Sequence, residues 1–490
     1  MKIFNIRKGF ATNSSSSHSI LLLPVQPVVK EEEDENFGWD FFTAAQDKSK
    51  ENYLAYNVYI NLLQLQMTKE KATQFVESFF GRSVSLDSIQ VDHQSVWTLP
   101  RNWENDDLNI EFLEDLQKYL NKKNVVIVGG NDNTSVSHPF IEDNVGQPSS
   151  FNKIQREGIN NHLVARKDDS HWVLFDRKNG DKIRISFDDI KTPTKALSPE
   201  LVDIKITDFC PYACTFCYQD STVQGQHAKM DDIDFIVKQL KDKKVLEVAL
   251  GGGETTLHPQ FVDILKNFKE NSIIPNFTTK NLNLFRQESA CDILNHCGAI
   301  AFSVSSVAEM EKVKLSYIDF ERKQEIEVNR YSYSENNTDK PWISKINFQI
   351  VMGTMDLKEF KKMLEFASNF GERVTLLGYK DVGRGPDFTP YDYDNYLSIV
   401  QKYNYKLNIS IDTALAAQSK SQLEEKKVDE RTYHITEGTF SAYIDAVSMQ
   451  LAPSSYGGLE QSVKFDNNWI DSWKNMVYTP SVKKVIRIRK

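Results

Sequence analysis

Cys210, Cys214 and Cys217 stand in the run Cys-Pro-Tyr-Ala-Cys-Thr-Phe-Cys, a C-x3-C-x2-C spacing with Phe216 just before the last thiol. Thiolates are soft ligands that hold iron–sulfur clusters, and a [4Fe–4S] cluster normally takes four of them. Three thiolates bind three irons and leave the fourth open to a small molecule. The competing metal is zinc, which needs four nitrogen or sulfur ligands. Its fourth ligand would come from His227, His258, His296, Cys291 or Cys297. Cys291 and Cys297 otherwise read as buried free thiols at the end of a helix. His258, ahead of Pro259, reads as a helix-entry residue.

The elements that must position the loop repeat in strand–helix order. Leu201–Thr207 predicts a strand, and the cysteines follow it. Ile233, Ile236, Val237 and Leu240 recur at i, i+3, i+4 and i+7, the spacing of one helix face. Further strands are expected at 245–250, 275–279, 299–305, 346–352 and 374–378. Helices are expected around Phe261–Phe268, 283–296 and 356–369. Six such units imply parallel strands joined by right-handed crossovers. The fold class expected is α/β, a (β/α)6 partial TIM-type barrel, with an α+β N-terminal region and a small C-terminal extension. The boundaries expected are a Ser-rich and acidic segment at 1–36 and an accessory domain at 37–197. The barrel takes 198–404, with an insertion at about 306–344, and the extension takes 405–490.

Catalytic residues of parallel β/α barrels lie beyond the C-terminal ends of the strands. Cys210 follows the first strand, Gly251, Gly252, Gly253 and Glu254 the second, and Thr279 closes the third. Ser303 and Ser305 end the fourth strand, Gln349 lies on the fifth, and Arg384 follows the sixth. The glycines let a backbone approach closely, and Glu254 suits an ammonium. Phe216 suits a flat base such as adenine. Ser303, Ser305 and Gln349 suit ribose hydroxyls or a carboxylate, and Arg384 suits a carboxylate or another anion.

The cysteine loop and the run Gly251–Glu254, some 34 residues later, resemble the signature of the radical S-adenosylmethionine (SAM) superfamily over about 200–385. The resemblance implies that SAM occupies the open iron of a [4Fe–4S] cluster. One electron then breaks the sulfonium bond, and a 5′-deoxyadenosyl radical abstracts a hydrogen atom. It implies that the glycine run meets the methionyl amino group and that Ser303 or Ser305 meets ribose or carboxylate. It also implies an electron donor such as flavodoxin or ferredoxin. Peptide-modifying members carry a cysteine-rich C-terminal extension for auxiliary clusters. Here no cysteine follows Cys297, and the stretch 443–455 resembles such an extension with Ser454 and Ser455 where a cysteine would be expected.

The bulk composition narrows the setting. Five cysteines in 490 residues argue against a disulfide scaffold and for a reducing compartment. A net charge of −9 gives no global footprint for polyanion binding. No apolar run approaches the roughly 18 residues of a membrane span, and no secretory leader is apparent, so a cytoplasmic protein without membrane partners is expected. The run Ser14–Ser19 and the acidic Glu31–Glu35 read as a polar tail or a recognition segment. A strand at 125–128 is expected to end in a turn at Gly129-Gly130-Asn131-Asp132. His171 to Phe187 alternates around Asn179-Gly180, which predicts a hairpin with a type I′ turn. Residues 191–195 read as a linker. The insertion carries Tyr317, Phe320, Tyr331, Tyr333 and Trp342, a lid or else a longer helix with a disordered tip. A further strand is expected at 407–411 and a hairpin at 441–451. The basic end (Lys483, Lys484, Arg487, Arg489, Lys490) reads as a solvated strand or a nucleic-acid contact.

The substrate expected is a peptide or protein side chain. The alternatives are a nucleotide or nucleic acid, using Arg384 and the basic end, and a non-catalytic SAM-binding sensor or scaffold.

Overall fold

The computed structural model describes residues 2–7, 16–22, 36–37, 42–91, 96–131, 162–169, 171–178, 180–187, 195–331, 345–370, 373–391, 393–403, 407–425 and 433–480. The chain divides into two compact units, Met1–Pro193 and Thr194–Lys490.

In the first unit, Lys2–Arg7, Lys182–Ser186, His171–Asp176, Leu163–Asp168 and Arg101–Asn102 lie in that order in one sheet. Ser16–Leu22, Val125–Asn131 and Phe42–Ala44 form a second. Leu113, Leu116 and Leu120 share the buried face of a helix, Ile110–Leu120, against the core that holds Val125 and Ile127. Three expectations change here. The N-terminal segment is no simple tail, because Lys2–Arg7 and Ser16–Leu22 are paired strands. Ser14, Ser15 and the acidic run lie outside the described residues. The turn at Gly129–Gly130 does not form, because Gly129 is paired on both sides, with His18 and with Phe42, and the strand runs on to Asn131. The hairpin forms, but its closing pair is Phe175–Lys182, too wide for a two-residue type I′ turn. Asp132, Asn179 and residues 191–194 lie outside the described residues.

The second unit is built on a single sheet. Its strands are β1 (Leu201–Thr207), β2 (Glu247–Gly252), β3 (Ile274–Thr279), β4 (Ile300–Ser303), β5 (Ile346–Val351), β6 (Arg373–Leu377), β7 (Asn408–Ile411), β8 (Ser441–Asp445), β9 (Gln450–Ala452) and β10 (Val463–Lys464). Their order is β7-β6-β5-β4-β3-β2-β1-β8-β9-β10. Every neighbouring pair from β7 to β8 is parallel, so β7 and β8 extend the six expected strands to eight. β8 and β9 form the expected hairpin.

The sheet curls. β1 and β6 are five strand spacings apart, which a flat sheet would hold about 24 Å apart. Yet the Arg384 amide beyond β6 donates to the Cys217 carbonyl beyond β1 at 3.0 Å. Asp203 within β1 also feels the charge of Asp412, the residue directly after β7, and both contacts fit a sheet bent toward closure, a partial barrel.

The helices cover its outer face. Ile233, Ile236, Val237 and Leu240, the set read from periodicity, are all buried. The expected helix at 283–296 is a short 3-10 turn, Leu284–Arg286, followed by a helix, Ala290–His296. The insertion begins as a 25-residue helix, Val307–Tyr331. Its Tyr317 and Phe320 rings lie 5.2 and 6.1 Å from Phe285, so these aromatics belong to the core and not to a lid. Tyr333, Trp342 and the basic end lie outside the described residues.

The residues after 440 share this core. Ala442, Ile444, Trp469 and Trp473 join one hydrophobic cluster with the barrel strands and helices. Trp473 is fully buried and its indole donates to Ser441 O at 2.8 Å. Trp473→Ala is therefore expected to cost about 3–5 kcal/mol, and denaturant unfolding of the whole chain will show it. A loss below about 1 kcal/mol would mean that the extension folds independently of the barrel.

Candidate active site

The cysteine loop has little regular structure of its own, so its shape comes from hydrogen bonds to its surroundings. Cys210 N donates to Thr222 O at 2.9 Å, and Cys217 N to Cys214 O at 3.2 Å. Ala213 takes a positive φ of 46° between the first two thiols. From β2, Gly253 N reaches Thr207 O at 2.7 Å and Glu254 N reaches Phe209 O at 2.8 Å. A Cβ on Gly253 would lie 2.1 Å from Phe209 O, and one on Gly252 would lie 2.2 Å from Thr207 O. Two of the three glycines are thus consumed by the approach of β2 to the loop. Only Gly251 faces open space, since a Cβ there would meet nothing within 4 Å.

The three thiols are free and half-buried, and they lie near enough to repel one another's charge. Burial pushes Cys210 up, and Glu254, Cys214 and Cys217 push it further. Burial also raises Cys214, opposed by the nearby Lys280 and Arg384. A protonated thiol is a poor ligand, so such a site takes metal with proton release. Three convergent soft donors in one open loop fit three irons of a cluster. The candidate fourth zinc ligands are engaged elsewhere. His227 Nδ1 lies 2.8 Å from Thr207 Oγ1, and His258 meets Ala228 O and Gln260 N. His296 Nδ1 meets Asp292 O, Asn295 donates to Cys291 Sγ, and Cys297 is buried.

Glu254 does something the sequence did not suggest. Its carboxylate is buried and accepts from Thr256 N and Oγ1, from Thr279 Oγ1 at 2.5 Å and from Lys280 N at 2.8 Å. It ties the end of β2 to the end of β3 instead of standing free for an ammonium. Thr279 is likewise committed to this bond. Ser305 gives both its amide and its hydroxyl to Glu309, which pairs with Lys280 at 3.1 Å. Ser303 is half-buried beside its register partner Gln349, and its hydroxyl is uncommitted among the described residues. Gln349 Oε1 accepts from Thr278 at 3.3 Å. Phe216 packs edge-on against Phe388, whose ring stacks on Tyr379. Arg384 donates through Nε to Cys214 O at 3.0 Å, and through its terminal nitrogens to Asp220 and Ser221 O. It grips the cysteine loop, where an open anion site had been expected.

Strand alternation sends one set of side chains outward to the helices and the other into the lumen. Val202, Ile204 and Ile206 of β1 are buried outward, while Asp203 and Lys205 line the inside. Asn276, Thr278, Asn347 and Thr375 continue that polar inner surface, joined in part by Asn347 Nδ2 to Thr375 Oγ1 at 2.8 Å. Between β7 and β8 no strand pairing closes the barrel among the described residues, and a charged group that sequence reasoning missed fills the gap. The Lys380 ammonium lies 4.5 Å from the Tyr218 ring centroid and 4.4 Å from that of Tyr456. It is 3.9 Å from Asp412. Tyr456 OH donates to Glu437 at 3.2 Å. Burial raises Glu437 to about 7, with Asp203 adding to it and Lys380 opposing. Lys380 resists its own burial because Tyr218, Asp412, Glu437 and Asp203 surround it, and it is held above its ordinary value. The signal for this group was Lys380 itself, an ionisable residue in a loop beyond a barrel strand.

Residues 204–323 match the family model described as the Radical SAM superfamily. A curated relative, the GTP 3′,8-cyclase of Photorhabdus laumondii subsp. laumondii, is 29% identical over 105 residues, 21% of this chain and 32% of the cyclase. The chain thus matches about a third of that relative's length. Among solved structures, Streptococcus suis SuiB bound to precursor peptide SuiA is similar over 67% of this chain and 90% of SuiB, at 14% identity and a TM-score of 0.44. Native anSMEcpe with bound AdoMet is similar over 53% of this chain and 76% of its own, at 12% identity and a TM-score of 0.35. The family match contains the three cysteines and the glycine run. Residues 204–323 thus match a radical SAM domain, a family that uses a [4Fe–4S] cluster and SAM. No helix among the described residues is long and apolar enough to cross a membrane.

Two predictions come from this geometry. Gly253→Ala forces a methyl into the loop backbone and is expected to cost about 1–3 kcal/mol and to lower iron bound after anaerobic reconstitution. Gly251→Ala leaves stability and iron unchanged; equal loss in both variants would refute the distinction. The second concerns Asp203, which burial raises from 3.8 to about 6, with Lys380 opposing. The folded chain therefore binds this proton more tightly than the unfolded chain, and stability falls as pH rises between those values. The melting-temperature difference between Asp203→Asn and wild type should grow in the variant's favour from about pH 4 to about pH 7. A difference independent of pH would show that Asp203 is ordinary.

Proposed function

We propose that this chain is a radical SAM enzyme that acts on a peptide or protein side chain. The supporting observation is the charge of the lumen, where Asp203, Asp412 and Glu437 surround the Lys380 ammonium and the Lys205 ammonium is paired with both Asp208 and Asp445. Phosphates entering there would meet carboxylates, whereas neutral amides and cationic side chains would not be repelled. The half-buried amides and hydroxyls of β3, β5 and β6 suit the same chemistry, since they donate and accept without net charge.

When bound, the cluster and SAM supply a 5′-deoxyadenosyl radical that takes a hydrogen atom from the substrate. Cys210, Cys214 and Cys217 would hold the irons, and an electron donor of the flavodoxin or ferredoxin kind would dock from outside. Gly251 offers its backbone to the methionyl end of SAM, and Ser303 and Gln349 offer donors to ribose or carboxylate. Phe216, with Phe388 behind it, gives adenine a flat apolar wall. Glu254, Thr279 and Ser305 hold the strand ends that carry these groups. The N-terminal unit serves as an accessory domain for a substrate larger than a metabolite.

A nucleotide substrate is the second reading, favoured by the similarity to a GTP cyclase over 105 residues. The excess of carboxylates opposes it, and Arg384 is committed to the cysteine loop. Reconstituted enzyme, reductant and SAM should release 5′-deoxyadenosine, and the yield should rise with the cognate peptide. Mass spectrometry of candidate peptides after coexpression, including the chain's own Ser14–Ser19 segment, should show a mass change. Stimulation by nucleoside triphosphates alone, or copurification of a nuclease-sensitive polymer, would overturn the peptide reading.

A further inference from the structure

We propose that Arg384 is a positioning residue for the iron–sulfur centre, a latch that holds the three-cysteine loop in its ligating shape from the opposite side of the barrel. The inference rests on the cluster assignment and deepens it.

Donors from this one residue reach four acceptors in the loop and the segment just after it. The backbone amide of Arg384 donates to Cys217 O at 3.0 Å, and Nε donates to Cys214 O at 3.0 Å. Nη1 and Nη2 both reach Ser221 O at 3.3 Å, and Nη1 meets Asp220 at 2.7 Å. Two of the acceptors are carbonyls of the ligand residues themselves. A planar fork with five donors can meet several backbone acceptors at fixed angles, and lysine cannot. Asp220 is exposed, so its ion pair adds little; the carbonyl contacts carry the grip. The approach is possible because Gly383 has a positive φ of 58° and a Cβ there would lie 2.5 Å from Tyr218 O.

The second consequence is electrostatic. Arg384 Nε stands 3.0 Å from the Cys214 carbonyl, so the guanidinium charge lies beside a ligand residue. A fixed positive charge beside a ligand favours the reduced, more negative state of a cluster. Arg384 therefore has two separable effects, one of geometry and one of charge. Arg384→Lys keeps the charge and loses the fork, while Arg384→Gln loses the charge and keeps only part of the hydrogen bonding. Asp220→Asn removes only the exposed arm.

The test begins with the metal-free chain, so that it does not depend on turnover. Alkylation of Cys210, Cys214 and Cys217 by iodoacetamide, followed by peptide mass spectrometry, should be faster in both arginine variants. It should be unchanged in Asp220→Asn. After anaerobic reconstitution, iron loss to a chelator should rise about tenfold or more in Arg384→Lys, the range expected when a residue supporting a metal ligand is lost. The cluster's reduction potential should move to more negative values in Arg384→Gln and stay near wild type in Arg384→Lys. Circular dichroism and melting of the metal-free variants identify any global unfolding. Wild-type alkylation and chelator rates in folded variants would overturn the latch. A potential that moves equally in Lys and Gln variants would overturn the charge effect. Failure of any iron to bind to wild type would instead count against the cluster assignment itself.

Discussion

Everything at this site depends on one constraint: a loop that must present three free thiols cannot close on itself. Cross-linking the thiols would remove their capacity to hold metal, and a regular helix or strand would fix a different spacing between them. The backbone from Cys210 to Cys217 therefore takes its order from other segments. Thr222 supplies an acceptor to Cys210, Gly253 and Glu254 fix Thr207 and Phe209 just before it with amides from the end of β2, and Arg384 brings donors from beyond β6. The braces come from different strand ends, and a parallel sheet is the arrangement that delivers many strand ends to one edge. The fold and the loop are thus one solution to one problem. Curling of the sheet is part of it, since it shortens the path from the end of β6 to the loop that Arg384 must span.

The glycine run shows how close that packing is. A glycine-rich turn after a strand invites a ligand-binding interpretation, and Gly251 retains it. Gly252 and Gly253 instead lie where any side chain would enter the backbone of Thr207 or Phe209. Glu254 completes the same junction by turning inward to Thr279 and Lys280. A buried carboxylate is costly unless its lone pairs are occupied. Four donors occupy those of Glu254, so the charge that suggested a ligand site stabilises strand ends instead.

The parts legible in the sequence were those written locally. The cysteine spacing, the apolar period of Ile233 to Leu240, and β1 all stand within one element. Cys210, Cys214 and Cys217 could be found because their meaning lies in spacing alone. Glu254 and Arg384 could be found as unusual residues, but their partners could not, because Arg384 and Cys214 are 170 positions apart. β7 and the β8–β9 hairpin were legible as elements, but not as members of the barrel sheet, because a strand of four or five residues does not name its neighbours. The Gly129–Gly130 turn failed for the opposite reason. Local preference favoured a break, and pairing with two neighbouring strands outweighed it.

The seam between β7 and β8 brings the lumen and the metal loop into one electrostatic neighbourhood. Burying an ammonium without partners is unfavourable, yet Lys380, half-buried, is held above its ordinary value. It lies over two aromatic faces and beside carboxylates, which together replace its water. One of those faces is Tyr218, the residue directly after Cys217, and its hydroxyl lies 3.4 Å from Ser455 Oγ. The extension after 440 therefore supplies the loop that covers the seam through Ser455 and Tyr456, even though it carries no thiol. Its packing completes the wall beside Lys380 and supports the end of the cysteine loop, a task that requires side-chain contact but no metal.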